Sequence, residues 1–282
     1  MIICVSLNPY QNADFDLSTS RKQFDCFGSS VNVAYILSTY KSVCMAIGFV
    51  QESCADSLGK CLDKLNIKHD FVTLGVESKC SNNMQRLYLC VESHLKANDI
   101  LLLSGVDCTC QSGSCDIYAR LTNLAHEKQA FVLMDGGSSN LFHKGVEAKP
   151  DWIKPNRNEV CDFFQAPHNI SNEKLISYSK RFLNMGIKLV IVSLGDQGAL
   201  FVDVENVILA APVDVKRVSN LGAGDGMLAA LALAKQEGYD DAHMAQFACA
   251  SGSLQLINEC IKCPDKKLVD KKMKEVMIRA HV

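Results

Sequence analysis

The segment Val218-Ser-Asn-Leu-Gly-Ala-Gly-Asp-Gly-Met-Leu-Ala-Ala-Leu-Ala-Leu-Ala234 carries the most informative pattern in this chain. Gly222 and Gly224 flank Ala223, and residues with almost no side chain let the backbone turn sharply and approach a ligand closely. The run from Met227 to Lys235 is rich in Ala and Leu and predicts a buried helix. The segment therefore predicts a glycine turn at a helix N-terminus, where free N–H groups and the positive end of the helix dipole bind anions, phosphates above all.

Asp225 follows this turn and places a carboxylate beside the predicted anion site. Because the positive helix end tolerates negative charge, we expect the pKa of Asp225 to be held low. A carboxylate fixed there can take a proton from a hydroxyl group as that hydroxyl attacks a phosphorus atom. The alternative interpretation is an N-cap aspartate after an ordinary glycine turn.

The composition is that of an ordinary globular protein of 282 residues, with 48% hydrophobic and 21% charged residues. A formal net charge of −2 gives no electrostatic reason to expect nucleic acid or a membrane surface as a partner. No apolar run reaches membrane-spanning length and no basic leader is evident, so we expect a cytoplasmic protein. The 14 cysteines then indicate free thiols, with a zinc site at residues 108–115 or 260–263 as an alternative.

Strand and helix patterns alternate along most of the chain. Buried strands are predicted at residues 2–7, 43–50, 100–103, 130–134 and 189–193. This alternation predicts a doubly wound α/β fold, in which helices cover both faces of a parallel sheet and function lies at the C-terminal strand edge. In contrast, residues 10–25 predict a loop or an exposed strand pair, and residues 67–92 predict strands of a sheet outside the main core.

Two further motifs suit phosphate chemistry. Asn156 and Glu159 are three residues apart on a predicted helix, so they share one face and suit Mg²⁺ with its water shell; a helix N-cap is the alternative. Ser193, Gly195 and Gly198 end a buried strand, where small residues let the backbone approach nucleotide phosphates, although strand–turn–strand connections use the same residues. Each motif alone is common, and their joint occurrence in one α/β chain is the stronger signal.

These motifs resemble the ribokinase-like (PfkB) family of carbohydrate kinases over essentially the whole chain. Gly222–Asp225 resembles the GAGD signature of that family, Lys154–Glu159 resembles its KPNxxE segment, and Ser193–Gly195 resembles its SLG segment. Leu7–Pro9 and Lys154–Asn156 resemble the branch that acts on ketohexose phosphates, which includes tagatose-6-phosphate kinase, 1-phosphofructokinase and the minor 6-phosphofructokinase.

The resemblance implies one ribokinase-like domain over residues 1–282, a three-layer α/β/α arrangement around a mostly parallel sheet. It also implies a small β-sheet lid, which we assign to residues 10–25 and 67–92, and a homodimer formed through that lid. The implied reaction uses ATP and Mg²⁺ and phosphorylates a hydroxyl group of tagatose 6-phosphate, fructose 1-phosphate or fructose 6-phosphate.

The resemblance further implies a role for each site residue. Asp225 is the implied catalytic base, and Gly222, Ala223 and Gly224 form the anion hole for the transferred phosphoryl group. Glu159 is the implied Mg²⁺ residue, acting through water. The implied nucleotide residues are Asn156, Ser193, Gly195 and Gly198, and the implied sugar residues are Asn12, Gly28, Asn32 and Lys79.

The sequence departs from the family pattern mainly on the sugar side. Asn12 replaces the acid of the NPAxD motif, Ser29 replaces the lysine of GGKGxN, and Lys79 replaces the arginine of the lid. Lysine keeps the charge of arginine but loses bidentate phosphate recognition. Gly226 also stands where the family has a small hydroxyl residue. Two alternatives follow: a kinase for an unphosphorylated sugar or a nucleoside, and a nucleotide- or sugar-binding regulatory protein with reduced catalysis.

Overall fold

The computed structural model describes residues 1–10, 29–75, 80–105, 116–137, 139–218, 222–257 and 263–280. The strands within these ranges are β1 (Ile2–Tyr10), β2 (Cys44–Gln51), β3 (Lys68–Leu74), β4 (Ile100–Ser104), β5 (Phe131–Asp135), β6 (Trp152–Lys154), β7 (Leu189–Ser193), β8 (Ala199–Val202), β9 (Val207–Ala210) and β10 (Ile278–Ala280).

The α-helices within the same ranges are α1 (Ser29–Thr39), α2 (Ala55–Lys64), α3 (Cys80–His94), α4 (Ile117–Glu127), α5 (Ser139–Glu147), α6 (Arg157–Phe163), α7 (Asn172–Asn184), α8 (Ala223–Glu237), α9 (Asp241–Gln255) and α10 (Lys266–Lys272). None of these helices is both long enough and apolar enough to cross a membrane.

All ten strands form one sheet, in the order β10-β9-β8-β7-β6-β5-β4-β1-β2-β3. In this order, the seven neighbouring strands β7, β6, β5, β4, β1, β2 and β3 pair in parallel. Strands β7, β8, β9 and β10 pair antiparallel. Alternate residues of β1 enter two separate cores: Ile2 and Cys4 pack with α1 and α8, while Ile3 and Val5 pack with α4 and α5. The predicted three-layer, doubly wound fold is therefore confirmed.

The strand order reverses at β1, which lies between β2 and β4. Ligands of such sheets bind at this reversal, outside the carboxyl ends of the strands. Helix α1 packs against α8, and α8 packs against α9, on the same face of the sheet. This packing brings the first turn of α1 to the first turn of α8, although 193 residues separate Ser29 from Gly222 in sequence.

Residues 67–92 do not form the separate exposed sheet that we predicted. Strand β3 pairs in parallel with β2 from Lys68 to Leu74, so it is the edge strand of the main sheet. The next described segment is helix α3, which buries Met84, Leu87 and Val91 at helical spacing. Only residues 75–79 separate this strand from this helix. Residues 11–25 lie outside the described ranges, so a lid formed by that stretch stays a prediction.

Candidate active site

The N-terminus of α8 has the turn that the glycine pattern predicts. Gly222 is the N-cap residue and adopts the left-handed conformation with φ of 88°, which a residue with a Cβ atom rarely adopts. The Gly226 N–H donates to the Gly222 carbonyl oxygen at 2.8 Å. The N–H groups of Ala223, Gly224 and Asp225 precede this bond in the first turn, so they form the positive end of a 15-residue helix.

The carboxylate of Asp225 is held by two side chains from the first turn of α1. The Ser29 hydroxyl donates to Oδ1 at 2.5 Å, and the Asn32 amide donates to Oδ2 at 2.8 Å. Asn32 was predicted to contact the sugar, and the structure places it on the predicted catalytic residue. Both carboxylate oxygens therefore have fixed directions, which orients the group for proton transfer.

The expectation of a low pKa for Asp225 is wrong. Desolvation raises the pKa of this carboxyl group above its usual value, and the negative charge of Asp135 raises it further. The hydrogen bonds from Ser29 and Asn32 and the charge of Lys154 lower the pKa, but they do not compensate for the loss of water. The local helix position favours the charged form, whereas the tertiary surroundings disfavour it more strongly.

An ion pair between a buried lysine and a partly exposed aspartate lies near this carboxylate, at the ends of β5 and β6. Lys154 is buried, and its Nζ atom lies 2.7 Å from Asp135 Oδ1. Desolvation is the largest single effect and would lower the pKa of Lys154, but the charge of Asp135, its hydrogen bond and the other nearby carboxylates together outweigh it, so the pKa is raised. The charges of Glu159 and Asp225 act on Lys154 in the same direction. Lys154 therefore stays protonated and partly neutralises three nearby carboxylates.

Asn156 and Glu159 form the helix cap that was the alternative interpretation of their spacing. The Glu159 N–H donates to Asn156 Oδ1 at 3.0 Å, and the Asn156 N–H donates to Glu159 Oε2 at 2.7 Å. Desolvation raises the pKa of Glu159, and Asp135 raises it further while Lys154 lowers it. The cap thus also belongs to the charged cluster near Asp225.

The carboxylates of Asp135, Glu159 and Asp225 outnumber the one ammonium group of Lys154 among them. Carboxylate oxygens are hard donors, which Mg²⁺ prefers, and like-charge repulsion among carboxylates is relieved by a divalent cation. Asp135 raises the pKa of both other carboxyl groups, which shows that this repulsion is present. These residues suit a magnesium ion held through its water shell.

A cleft of about 220 Å³ opens beside the N-terminus of α8. It is lined by Ser193, Gly195 and Gly198 from the end of β7 and by Ala223 and Gly224 from α8. The structure thus brings the predicted nucleotide motif to the predicted anion hole. Asn156 is next to this motif, since it bridges to Ser193 in parallel register.

The cleft also has walls that the sequence motifs did not indicate. Val213, Met227 and Leu256 supply apolar surface, and Arg217 supplies a cation. Apolar walls suit the ring of a nucleobase, and a cation and a helix N-terminus suit its phosphates, so the cleft suits a nucleotide. These wall residues lie in connections and helix interiors and carry no distinctive local pattern. Asp135, in contrast, could have been selected, because it ends a predicted strand at the functional edge.

Three predicted sugar residues, Asn12, Gly28 and Lys79, lie outside the described residues, as do the cysteines at 108–115. The ten other sequence-predicted site residues lie at the starts of α1, α6 and α8 and at or just after the end of β7, and these element ends meet at one edge of the sheet.

The pfkB family carbohydrate kinase model matches residues 20–259. The 1-phosphofructokinase of Haemophilus influenzae is 30% identical in a match covering 58% of this chain and 52% of that protein, about half its length. The 1-phosphofructokinase of Borreliella burgdorferi is 25% identical over 90% of this chain and 91% of that protein. The tetrameric inhibited form of Escherichia coli phosphofructokinase-2 has the same fold, with a TM-score of 0.81 and 22% identity over 97% of this chain and 98% of that one. Because the family model spans most of the sequence, the chain belongs to the pfkB family of carbohydrate kinases.

Proposed function

We propose that this protein transfers the γ-phosphoryl group of ATP to a hydroxyl group of a ketohexose phosphate, with tagatose 6-phosphate, fructose 1-phosphate and fructose 6-phosphate as candidate acceptors. The observation that supports this proposal most directly is the position of Asp225. Asp225 lies on the first turn of α8, which lines the cleft, and its carboxylate is fixed by Ser29 and Asn32 of α1. The names of the full-length relatives support a phosphorylated ketohexose as the acceptor.

In the proposed reaction, Asp225 acts as a general base. The acceptor O–H bond breaks, its proton moves to a carboxylate oxygen of Asp225, a new O–P bond forms, and the bond from the γ-phosphorus to ADP breaks. The raised pKa makes Asp225 a stronger base once it is ionised. Asn32 keeps Oδ2 oriented while the acceptor hydroxyl approaches Oδ1, where the Ser29 hydroxyl now lies.

The N-terminus of α8 stabilises the negative charge of the transferred group. The N–H groups of Ala223 and Gly224 line the cleft and are fixed before any ligand binds, so little reorganisation is needed. When bound, Mg²⁺ supplies charge neutralisation at the phosphate oxygens, and Asp135 and Glu159 are the residues that would hold it. Lys154 fixes Asp135 in this position through its ion pair.

A second candidate acceptor is an unphosphorylated sugar or a nucleoside. Its support is Ser29, which stands at the lysine position of the GGKGxN pattern and whose hydroxyl donates to Asp225. Lys154, whose charge lowers the pKa of Asp225, is already paired with Asp135. A phosphate on the acceptor would therefore need a cation from outside this described cluster.

The homodimer remains part of the proposal in a narrower form. A lid that pairs two copies would have to come from residues 10–25, since residues 68–74 and 80–94 belong to the main sheet and to α3. Sedimentation of the full chain and of a variant with polar substitutions in residues 10–25 would test it. A dimer that survives those substitutions would place the contact elsewhere.

The test of function is ADP release from Mg-ATP against a panel of ketohexose phosphates, free hexoses, ribose and nucleosides. Asp225→Asn is the inactive comparison. Asp241→Asn is the matched control, because Asp241 also lies in the first turn of a long helix and also has a raised pKa. Turnover that is lost only in Asp225→Asn would support the kinase and identify its acceptor. Bound ATP without turnover on any acceptor would favour the regulatory alternative.

Ser29→Lys tests the acceptor class separately. If the first turn of α1 faces a phosphate on the substrate, the new ammonium group should lower KM for ketohexose phosphates relative to KM for free sugars. An equal change for both classes would show that Ser29 does not face the acceptor phosphate.

A further inference from the structure

A second group of metal-binding side chains lies at the β3 edge of the sheet. Asp70, Cys90 and His94 each offer one ligand atom, and these atoms all lie within 4.8 Å of one another. The cluster shares no residue with the cleft or with the carboxylates around Asp225. We propose that these three residues bind a zinc ion that fastens α3 to the edge strand β3.

The fold explains why the three side chains meet. On β3, Val72 and Leu74 pack into the same core as Leu87 and Val91 of α3. Because side chains of a strand alternate between faces, Asp70 projects toward α3 as well.

On α3, Cys90 and His94 are four residues apart, so they occupy one face of the helix. The spacing is the one by which two metal ligands on a single helix reach the same ion. The third ligand then comes from the neighbouring strand, so an ion at this point would join two elements.

The contacts within the cluster already bring the donors together. His94 Nε2 lies 2.8 Å from Asp70 Oδ2, and the Cys90 thiol donates to the Asp70 carbonyl oxygen at 3.8 Å. Asp70 is 50% exposed and His94 is 34% exposed, so solvent reaches the cluster. Three protein ligands with an open side leave a fourth position for water, which completes a tetrahedral zinc site.

The donor chemistry favours zinc over magnesium. A thiolate, an imidazole and a carboxylate are all zinc ligands, whereas Mg²⁺ selects oxygen donors and would not compete here. Desolvation raises the pKa of the Cys90 thiol to about 12, and Asp70 contributes to the rise, so the free thiol keeps its proton. Zinc binding replaces that proton, which passes to solvent, and the thiolate and Asp70 together neutralise the two charges of the ion.

The opposite face of β3 provides a matched control. His69 Nε2 lies 3.2 Å from Asp63 Oδ1, so this pair is also an imidazole–carboxylate contact between β3 and a helix. No cysteine joins His69 and Asp63 in a three-residue metal group among the described residues. The two imidazole–carboxylate contacts, one on each face of β3, therefore differ in that a thiol lies beside one of them, the contact at Asp70.

The experiment uses the full chain, stripped with a chelator and titrated with Co²⁺ as a spectroscopic substitute for zinc. Wild type should bind one equivalent, show a thiolate-to-cobalt charge-transfer band, and lose the band when zinc is added. Cys90→Ser should abolish the band, and His94→Gln should weaken cobalt binding at least about tenfold. His69→Gln should leave both the band and the affinity unchanged.

Thermal unfolding supplies a second measurement that does not depend on absorbance. Zinc should raise the unfolding midpoint of wild type and of His69→Gln, and it should not raise the midpoint of Cys90→Ser, because a ligand stabilises only the state that binds it. A cobalt band and affinity that are the same in Cys90→Ser as in wild type, or a wild type that binds no cobalt, would overturn the proposal. The contact between His94 and Asp70 would then be an ordinary surface ion pair.

Discussion

Replacing Ser29 with alanine should move the acidic limb of the kcat/KM profile to higher pH. The Ser29 hydroxyl donates to Asp225 Oδ1 at 2.5 Å, and a hydrogen bond to the ionised form lowers the pKa of a carboxyl group. Without it, only Asn32 and the charge of Lys154 oppose desolvation. The pKa of Asp225 therefore rises further, and the base becomes ionised only at higher pH.

The size of this shift follows from the strength of the lost contact. A hydrogen bond to a charged group contributes about 1.5–3 kcal/mol. Removal of the Ser29 hydroxyl should therefore raise the pKa of Asp225, because the ionised form loses about that much stabilisation, and about 1.4 kcal/mol corresponds to a tenfold change. On the acidic limb this lowers kcat/KM by about tenfold or more, whereas above both pKa values the two enzymes should differ little.

The assay is kcat/KM against pH for the acceptor that the panel identifies, because this ratio reports ionisation of the free enzyme. Ser38→Ala is the matched control, since Ser38 lies on the same helix and its hydroxyl donates to the Tyr35 carbonyl oxygen instead. An acidic limb that stays in place in Ser29→Ala, or that moves equally in Ser38→Ala, would refute the assignment of that limb to Asp225.

Three more substitutions test the site and its support. Asp225→Asn should lower kcat by about 10²–10⁴-fold with ATP affinity retained. It should also raise the unfolding midpoint at pH 8 more than at pH 4. The folded-state pKa of Asp225 lies above its unfolded value. The stability contributed by protonated Asp225 in wild type is therefore fully present below the unfolded pKa and is lost as pH rises through the folded pKa. Lys154→Met should cost about 3 kcal/mol in urea unfolding because Asp135 loses its partner; an unchanged midpoint would show that the pair contributes no stability. Gly226→Ala should cost about 1–3 kcal/mol, since a Cβ atom there would lie 2.5 Å from Gln255 Cγ; wild-type stability would show that α9 moves aside.

The buried elements were predictable because burial on both faces leaves a continuous apolar run. The predicted strand at 189–193 coincides with β7, and the predicted buried helix from Met227 to Lys235 lies within α8. Helix α3 was mistaken for strands because Gly75 and Ser81–Asn83 interrupt the stretch and the short apolar run at residues 87–91 suits a strand as well as a helix. Strand β10 was missed because Arg279 and Ala280 are exposed and only backbone pairing with β9 defines it.

The candidate site also has parts that the sequence predicts and parts that it does not. The glycine turn and the strand end at Ser193 work through backbone conformation, which local sequence encodes, so both could be located without a structure. The contact between Ser29 and Asp225 spans 196 positions, and no local pattern indicates it. The sign of the Asp225 pKa shift failed for this reason, because sequence shows the helix end but not the desolvation.

Asn32 shows why the acceptor side resists inference from sequence. It was predicted to bind sugar, yet in the structure its amide donates to Asp225 Oδ2. One face of the first turn of α1 therefore orients the base at the point where an acceptor hydroxyl must arrive. A change in that turn alters the direction and the pKa of Asp225 together with the fit of the acceptor, so kcat and KM should change together. Residues that replace Ser29 consequently act on catalysis and on acceptor choice at once, and a motif that assigns the turn to sugar binding alone describes only half of its effect.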